Sequence, residues 1–330
     1  MKTIYLNNDT HEQTACVATI GMFDGVHLGH RFVINRVCDE AHERGLLSCI
    51  ITFDRHPKQI TQTENATGTG FIGQLTTLDE RLLLLSRTDV DVCVVLPFTR
   101  EMATLSAREF MQHVLKEQLC VNTLLTGYDN RFGHPQPDHR ETFEDYQRYG
   151  RELGIDVKPL RAVGTVSSST VRSLLSEGDV AAANERLGYP YFLTGTVVNG
   201  EHIGTNLGFP TANLETATDK LIPAPGVYAV RVRLEASVEQ KHGMMNIGRR
   251  PTFDGQQTTL EVNIFRFWGD LYGQQMSVSF IDRIRPEQRF DSPEALAEQL
   301  RKDAETAEHL LIPTDSTRRP EIFINNNFQP

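Results

Sequence analysis

The chain has 330 residues, 39% of them hydrophobic and 23% charged, with Lys+Arg 33 against Asp+Glu 43 for a formal net charge of −10. At about 150 residues per domain this length predicts two buried cores and excludes a small stapled scaffold. The negative balance excludes a general attraction to nucleic acid or anionic lipid, so any phosphate must be met locally. Apolar runs such as Cys49 to Phe53 and Val92 to Leu96 are too short to span a bilayer, and the N-terminus shows no secretory signal, so the expected location is cytoplasmic. Five cysteines, Cys16, Cys38, Cys49, Cys93 and Cys120, include no Cys-x-x-Cys pair. They predict no disulfide framework, and Cys49 and Cys93 read as small buried hydrophobes.

From Thr14 to about Leu187 short apolar runs alternate with longer amphipathic ones, the pattern of strands joined by crossover helices in a parallel sheet. The expected strands are Ala15–Ile20, Leu46–Phe53, Val90–Leu96, Thr123–Thr126 and Ile155–Leu160. Capping-box pairs Thr77 with Glu80, Ser106 with Glu109 and Thr142 with Asp145 mark helix starts between them. After Gly188-Tyr189-Pro190 the texture changes to alternating Val, Thr, Tyr and Phe, which predicts antiparallel strands at Tyr191–Val198, Val227–Leu234, His242–Ile247, Thr258–Phe265 and Gln275–Ile284. Their spacing suits a small closed β-barrel. A helix follows, with Ser292 as N-cap, Pro293 in its first turn, and Leu296, Leu300, Ala304 and Ala307 on one face before about Leu311. The expected organisation is an α/β domain over 1–187, a barrel domain over 188–312 and a mobile tail over 313–330.

Directly after the first of these strands stands Gly21-Met22-Phe23-Asp24-Gly25-Val26-His27-Leu28-Gly29-His30. Such a loop faces the carboxyl end of a parallel sheet, where the free amides of the following helix favour an anion. His27 and His30 are neighbours on one helix face, and Gly29 puts no side chain between them. The decapeptide resembles the His-x-Gly-His motif of the nucleotidyltransferase superfamily, in the form found in prokaryotic FAD synthetases. That resemblance implies a Rossmann-like fold and adenylyl transfer from ATP, with the histidines stabilising charge on the α-phosphate and Mg²⁺ on the triphosphate. It also implies ATP or flavin contacts for Gly21, Phe23, Asp24, Gly25 and Gly29. Phe53-Asp54-Arg55-His56-Pro57 is similar to the family's Phe-Asp-Pro-His-Pro, with Arg55 replacing a proline, which points to His56. Gly127-Tyr128-Asp129-Asn130-Arg131-Phe132-Gly133 resembles Gly-x-Asp-Phe-Arg-Phe-Gly, with Asn130 replacing a phenylalanine, which points to Asp129. Ser167-Ser168-Ser169-Thr170-Val171-Arg172 is similar to Ser-Ser-Thr-x-Ile-Arg; Ser168, Ser169 and Arg172 at a helix start make a second phosphate clamp.

The barrel half carries glycines at 200, 204 and 208, followed by Phe209-Pro210-Thr211-Ala212-Asn213. Gly200, Gly204 and Gly208 permit a tight backbone that presents amides to a phosphate, a nest rather than a P-loop. Gly-Phe-Pro-Thr-Ala-Asn resembles the signature of riboflavin kinases, which implies that Pro210, Thr211 and Asn213 hold nucleotide phosphates and that Thr211 and Asn213 hold Mg²⁺. Thr205 stands where the family usually has arginine. The same resemblance makes Glu261 the acceptor of the substrate hydroxyl proton and places Arg289 beside flavin. Alternation puts Leu260, Val262 and Ile264 on one strand face and Glu261 with Asn263 on the other. The single tryptophan, Trp268, reads as barrel packing.

The resemblance extends from about residue 14 to residue 311 and implies a bifunctional riboflavin kinase/FAD synthetase. The expected substrates are ATP, riboflavin and FMN, the expected product is FAD, and the expected state is a monomer or weak homo-oligomer. The alternatives are an enzyme with one degenerate half and, in a different class, a non-catalytic flavin-binding regulator.

Overall fold

The computed structural model describes residues 1–6, 14–55, 73–127, 132–134, 141–160, 166–200, 208–235, 237, 239–252 and 255–312. The chain forms two compact units, one of residues 1–72 and 78–167, the other of residues 73–77 and 168–330.

The first unit is a parallel sheet of β1 (Lys2–Tyr5), β2 (Cys16–Ile20), β3 (Leu47–Phe53), β4 (Val92–Leu96), β5 (Val121–Gly127) and β6 (Asp156–Leu160), in the order β1-β4-β3-β2-β5-β6. Its helices are α1 (Leu28–Arg44), α2 (Leu78–Leu85), α3 (Arg100–Thr104), α4 (Ala107–Glu109), which continues as a π-helical stretch over Phe110–Gln118, and α5 (Phe143–Leu153). All five residues of β2 are buried, as expected of a central strand covered by helices on both faces. The chain proceeds from β2 through β3 to β4 on one side and returns to β5 on the other, so the end of β2 lies where the strand order reverses. That switch point is the standard ligand crevice of an open α/β sheet. The boundaries follow the local chemistry: capping boxes at Ser106 with Glu109 and at Thr142 with Asp145 open α4 and α5. Gly45 ends α1 in the left-handed conformation, its N–H returning to the helix carbonyls. The short edge strand β1 was not among the sequence expectations.

In the second unit α6 (Ser168–Glu177) and α7 (Val180–Leu187) precede β7 (Phe192–Val198), β8 (Ala212–Thr216), β9 (Gly226–Leu234), β10 (Gln240–Thr252), β11 (Gly255–Ile264), β12 (Gln275–Pro286) and α8 (Pro293–Leu311). The strands close an antiparallel barrel in the order β10-β11-β8-β7-β12-β9. Five strands were expected and six are present, because β8 begins at the end of the Gly-Phe-Pro-Thr-Ala-Asn signature and buries only Leu214 fully, leaving no alternating pattern to read. Ser292 caps α8, with Pro293 in its first turn, and Ala307 and Leu311 pack against Val227, Ala229 and Met244. On the same helix Asp303, 1% exposed, pairs with Arg285 at 2.8 Å. Residues 73–77 strap onto this unit: Gln74 bridges to Lys220, whose Nζ donates to the Leu75 carbonyl at 2.6 Å. Trp268 departs from its expected packing role. It is 86% exposed, in the connection after β11 where Arg266 takes a left-handed φ of 55°.

Candidate active sites

In the first unit the loop after β2 is built from residues that are buried despite being irregular. Phe23, Asp24, Val26 and His27 are all buried, while Phe23, Gly25 and Val26 adopt φ of 50°, 81° and 36°. A β-branched residue in that region is strained, and its surroundings must hold it there. Gly21 continues the β2–β3 ladder by donating to the Ile51 carbonyl, and the turn closes through Val26 N–H to the Phe23 carbonyl, each at 3.0 Å.

His27 is the N-cap of α1, its Nδ1 accepting the His30 N–H at 3.3 Å. An accepting Nδ1 leaves the proton of the neutral ring on Nε2. The imidazoles of His27 and His30 stack with centroids 3.7 Å apart at 16°, and Phe23 meets His30 edge-on at 5.2 Å. The first turn of α1 carries no acidic side chain, so no carboxylate on the helix competes for its N-terminal amides. A Cβ on Gly29 would lie 3.1 Å from the Val166 carbonyl oxygen and 3.2 Å from His27 Nδ1, which explains the glycine between the histidines. The structure therefore brings Gly21, Phe23, Asp24, Gly25, His27, Gly29 and His30 into one loop at the N-terminus of α1. His56 and Asp129, with the family departure at Asn130, lie outside the described residues.

In the second unit Glu261 on β11 is flanked in register by Asn246 on β10 and Asn213 on β8, which sets three polar side chains abreast on one sheet face. Leu260, Val262 and Ile264 are buried, as alternation required. A cavity of about 280 Å³ has Thr211, Asn246, Glu261, Asn263, Arg285 and Phe290 in its wall. A second, of about 230 Å³, includes Pro210, Thr211, Phe267, Asp270 and Tyr272, so Thr211 borders both. Asn263 Nδ2 donates to the Pro210 carbonyl at 2.7 Å and fixes the turn that presents Thr211. A Cβ on Gly200 would lie 1.8 Å from Asn213 Nδ2, so the glycine makes room for that amide. Gly208 takes a φ of 82° in open space. Gly204 and Thr205 lie outside the described residues. Arg289 is exposed and does not line the larger cavity; Arg285 does, with its guanidinium carbon 5.5 Å from the centre of the Phe290 ring. Ser168, Ser169 and Arg172 open α6 in this unit, and Arg172 Nε donates to the Gly73 carbonyl at 3.2 Å.

Among the described residues no cluster of His, Cys, Asp and Glu forms a metal centre by itself. Mg²⁺ retains several waters and takes most of its ligands from substrate phosphates, so a hydroxyl and an amide oxygen suffice as protein donors. Thr211 and Asn213, the latter in the space left by Gly200, fit that requirement.

A family model for FAD synthetase matches residues 9–174, and one for riboflavin kinase matches residues 187–311. The bifunctional riboflavin kinase/FMN adenylyltransferase of Listeria monocytogenes is 35% identical over 92% of this chain and 96% of its own length. The chain belongs to this family. Relatives of the same description from Escherichia coli K12 and Bacillus subtilis are 36% and 33% identical, over 89% and 93% of this chain and 92% and 97% of their own. A crystal structure from Streptococcus pneumoniae described as a macrolide-efflux protein superposes with a TM-score of 0.81 at 30% identity, covering 93% of this chain and 99% of that one. No helix among the described residues here is long and apolar enough to cross a membrane. Membership bears out the resemblance read from the motifs, with the FAD synthetase part N-terminal and the riboflavin kinase part C-terminal. Two residues of the sites, Asn263 as the support of Pro210 and Arg81 beneath the histidine loop, carried no sequence motif of their own.

Proposed function

We propose that the barrel half phosphorylates riboflavin to FMN and that the α/β half adenylylates FMN to FAD, each with ATP. The kinase assignment rests above all on two cavities meeting at Thr211, one with Glu261 in its wall, an arrangement that suits a phosphoryl donor and a hydroxyl acceptor on either side of a shared phosphate position. The ribityl hydroxyl oxygen attacks the γ-phosphorus, ADP leaves, and Glu261 accepts the hydroxyl proton. Asn246 and Asn213 beside Glu261 orient it. Pro210, Thr211 and Asn213, with Gly200, Gly204 and Gly208, hold the nucleotide phosphates, and Thr211 with Asn213 would hold Mg²⁺. When bound, the cation neutralises phosphate charge and aligns the transferred group.

In the α/β half a phosphate oxygen of FMN attacks the α-phosphorus of ATP, the α–β bridge breaks and pyrophosphate leaves. The attacking phosphate is already ionised, so no general base is needed. His27 and His30 donate to the α-phosphate oxygens, α1 adds its N-terminal amides, and Gly21, Phe23, Asp24, Gly25 and Gly29 shape the pocket. His56 and Asp129 contribute nucleotide or flavin contacts, and Arg172 with Ser168 and Ser169 makes the second phosphate clamp. By function the division falls at 1–187 and 188–312, although α6 and α7 pack in the same compact unit as the barrel. The enzyme is cytoplasmic, acts on small molecules and not on nucleic acid or membranes, and is a monomer or weak homo-oligomer, which sedimentation checks. Incubation of the purified chain with riboflavin, ATP and Mg²⁺, followed by flavin chromatography, tests the assignment: FMN appears first and FAD follows, whereas FMN alone would leave only the kinase half standing.

A further inference from the structure

Beneath the Gly21–His30 loop lies a cation that belongs to none of the motifs. Arg81 on α2 is fully buried. Its Nη1 donates to the Met22 carbonyl at 2.7 Å and to Thr52 Oγ1 at 3.2 Å, while Thr52 Oγ1 donates to the same Met22 carbonyl, also at 3.2 Å. This closed triangle joins α2, the carboxyl end of β3 and the peptide that immediately precedes the left-handed Phe23. Among the described residues Nε and Nη2 of Arg81 have no hydrogen-bond partner. Burial pulls the guanidinium below its ordinary value, and the carboxylate of Asp24, in the same loop, acts against that effect before Cys93 and Asp54 do.

Burying a guanidinium with part of its donor set unused is costly, and an apolar side chain of similar volume would serve packing alone at lower cost. Leu82, Leu84 and Leu85 fill the following buried positions of α2 that way, whereas the neighbouring Glu80 is buried as well as Arg81. Position 81 thus spends stability on holding one carbonyl, and that carbonyl sets the entry into the strained loop. A fixed positive charge below a phosphate-binding loop also acts in a poorly screened medium.

We infer that Arg81 is a positioning residue for adenylyl transfer, holding the Met22 peptide, and through it Phe23 and the His27–His30 pair, in the geometry that meets the transferring α-phosphate. The inference rests on the reading that this loop carries adenylyl transfer. The test uses the full chain with FMN, ATP and Mg²⁺, in the variants Arg81→Lys, Thr52→Val, Thr52→Ser and His30→Ala. Thr52→Val keeps the shape of a buried strand residue while removing the hydroxyl vertex of the triangle, so it decides the matter even if Arg81→Lys folds poorly. Arg81→Lys and Thr52→Val each lower kcat for FAD formation about 10- to 100-fold, the scale of a displacement of an ångström or less. KM for FMN and ATP moves less than about 3-fold, which marks loss of an interaction used in the transition state. Thr52→Ser recovers most of the lost kcat, and riboflavin phosphorylation is unchanged in all the Arg81 and Thr52 variants. Wild-type kcat in Thr52→Val, or a loss that Thr52→Ser does not recover, overturns the inference. If His30→Ala forms FAD normally, the reading of the loop itself has failed; if it forms none while Arg81→Lys and Thr52→Val keep full kcat, only the role of Arg81 has.

Discussion

Gly200→Ala converts a steric observation into a kinetic one. The added methyl carbon would stand 1.8 Å from Asn213 Nδ2 and 2.5 Å from its Cγ. A comfortable contact is about 3.5 Å, so the amide must retreat by roughly 1.7 Å or the two chains must part. Gly200 is not among the glycines with positive φ, so alanine suits its backbone and the effect is confined to Asn213. A shift of that size at a group that orients the phosphates costs about 100-fold in kcat, or about 2.7 kcal/mol of transition-state stabilisation. The assay is riboflavin phosphorylation under saturating ATP, with FAD formation from supplied FMN followed in parallel and expected to stay at the wild-type rate. A double-mutant cycle completes the test: in an Asn213→Ala background the Gly200→Ala change should have almost no further effect, because the group it displaces is gone. Kinase activity within about 3-fold of wild type in Gly200→Ala, or strict additivity with Asn213→Ala, would refute the reasoning.

Asp303→Ala leaves the Arg285 guanidinium, 15% exposed, without its carboxylate and should cost about 3–5 kcal/mol of barrel-unit stability in thermal or denaturant unfolding. Because Arg285 also lines the larger cavity, the KM for riboflavin should rise in the same variant. Glu40 accepts from Lys158 at 2.7 Å and also pairs with Arg44, and these contacts, Lys158 foremost, hold its carboxyl below the usual carboxylate range. Its folded value lies below its unfolded one, so the stabilisation is fully present above the unfolded value and is lost as pH falls through the folded value. Glu40→Gln should therefore cost about 1 kcal/mol at pH 7, with the difference from wild type vanishing in strong acid, as urea titrations across pH would record.

The parts of the fold that were legible in sequence are those where local chemistry and burial coincide. β2 and β3 are mostly apolar runs, broken only by Thr19, Ser48 and Thr52, because both faces of the sheet are covered, and Ser106, Thr142 and Ser292 announce their helices by their own capping side chains. β1 and β8 were missed for the opposite reason: no residue of β1 is fully buried and β8 fully buries only Leu214, so neither shows a period. The strap at residues 73–77 depends on Lys220 and Asp219, far along the chain, and nothing local signals it. At the candidate sites, glycine and histidine spacing exposed the α/β loop because the motif lies in the backbone turn itself, with Phe23, Gly25 and Val26 at positive φ. Arg81 was invisible because the charged triplet Asp79-Glu80-Arg81 gives no local sign of burial, whereas both Glu80 and Arg81 are buried. The larger cavity follows the same rule. Alternation put Glu261 on the face opposite Leu260 and Val262, which is the cavity side, while the resemblance pointed to the exposed Arg289 rather than to Arg285, whose place in the cavity wall is set by its pairing with Asp303 on α8.

The measurement that bears most directly on a two-site enzyme is flavin chromatography of two full-length variants, each supplied in turn with riboflavin and with FMN alongside ATP and Mg²⁺. His30→Ala should convert riboflavin to FMN and stop there. Glu261→Ala should leave riboflavin untouched and still convert supplied FMN to FAD. Loss of both reactions in either variant, with its fold intact by circular dichroism, would contradict the assignment of one reaction to each half.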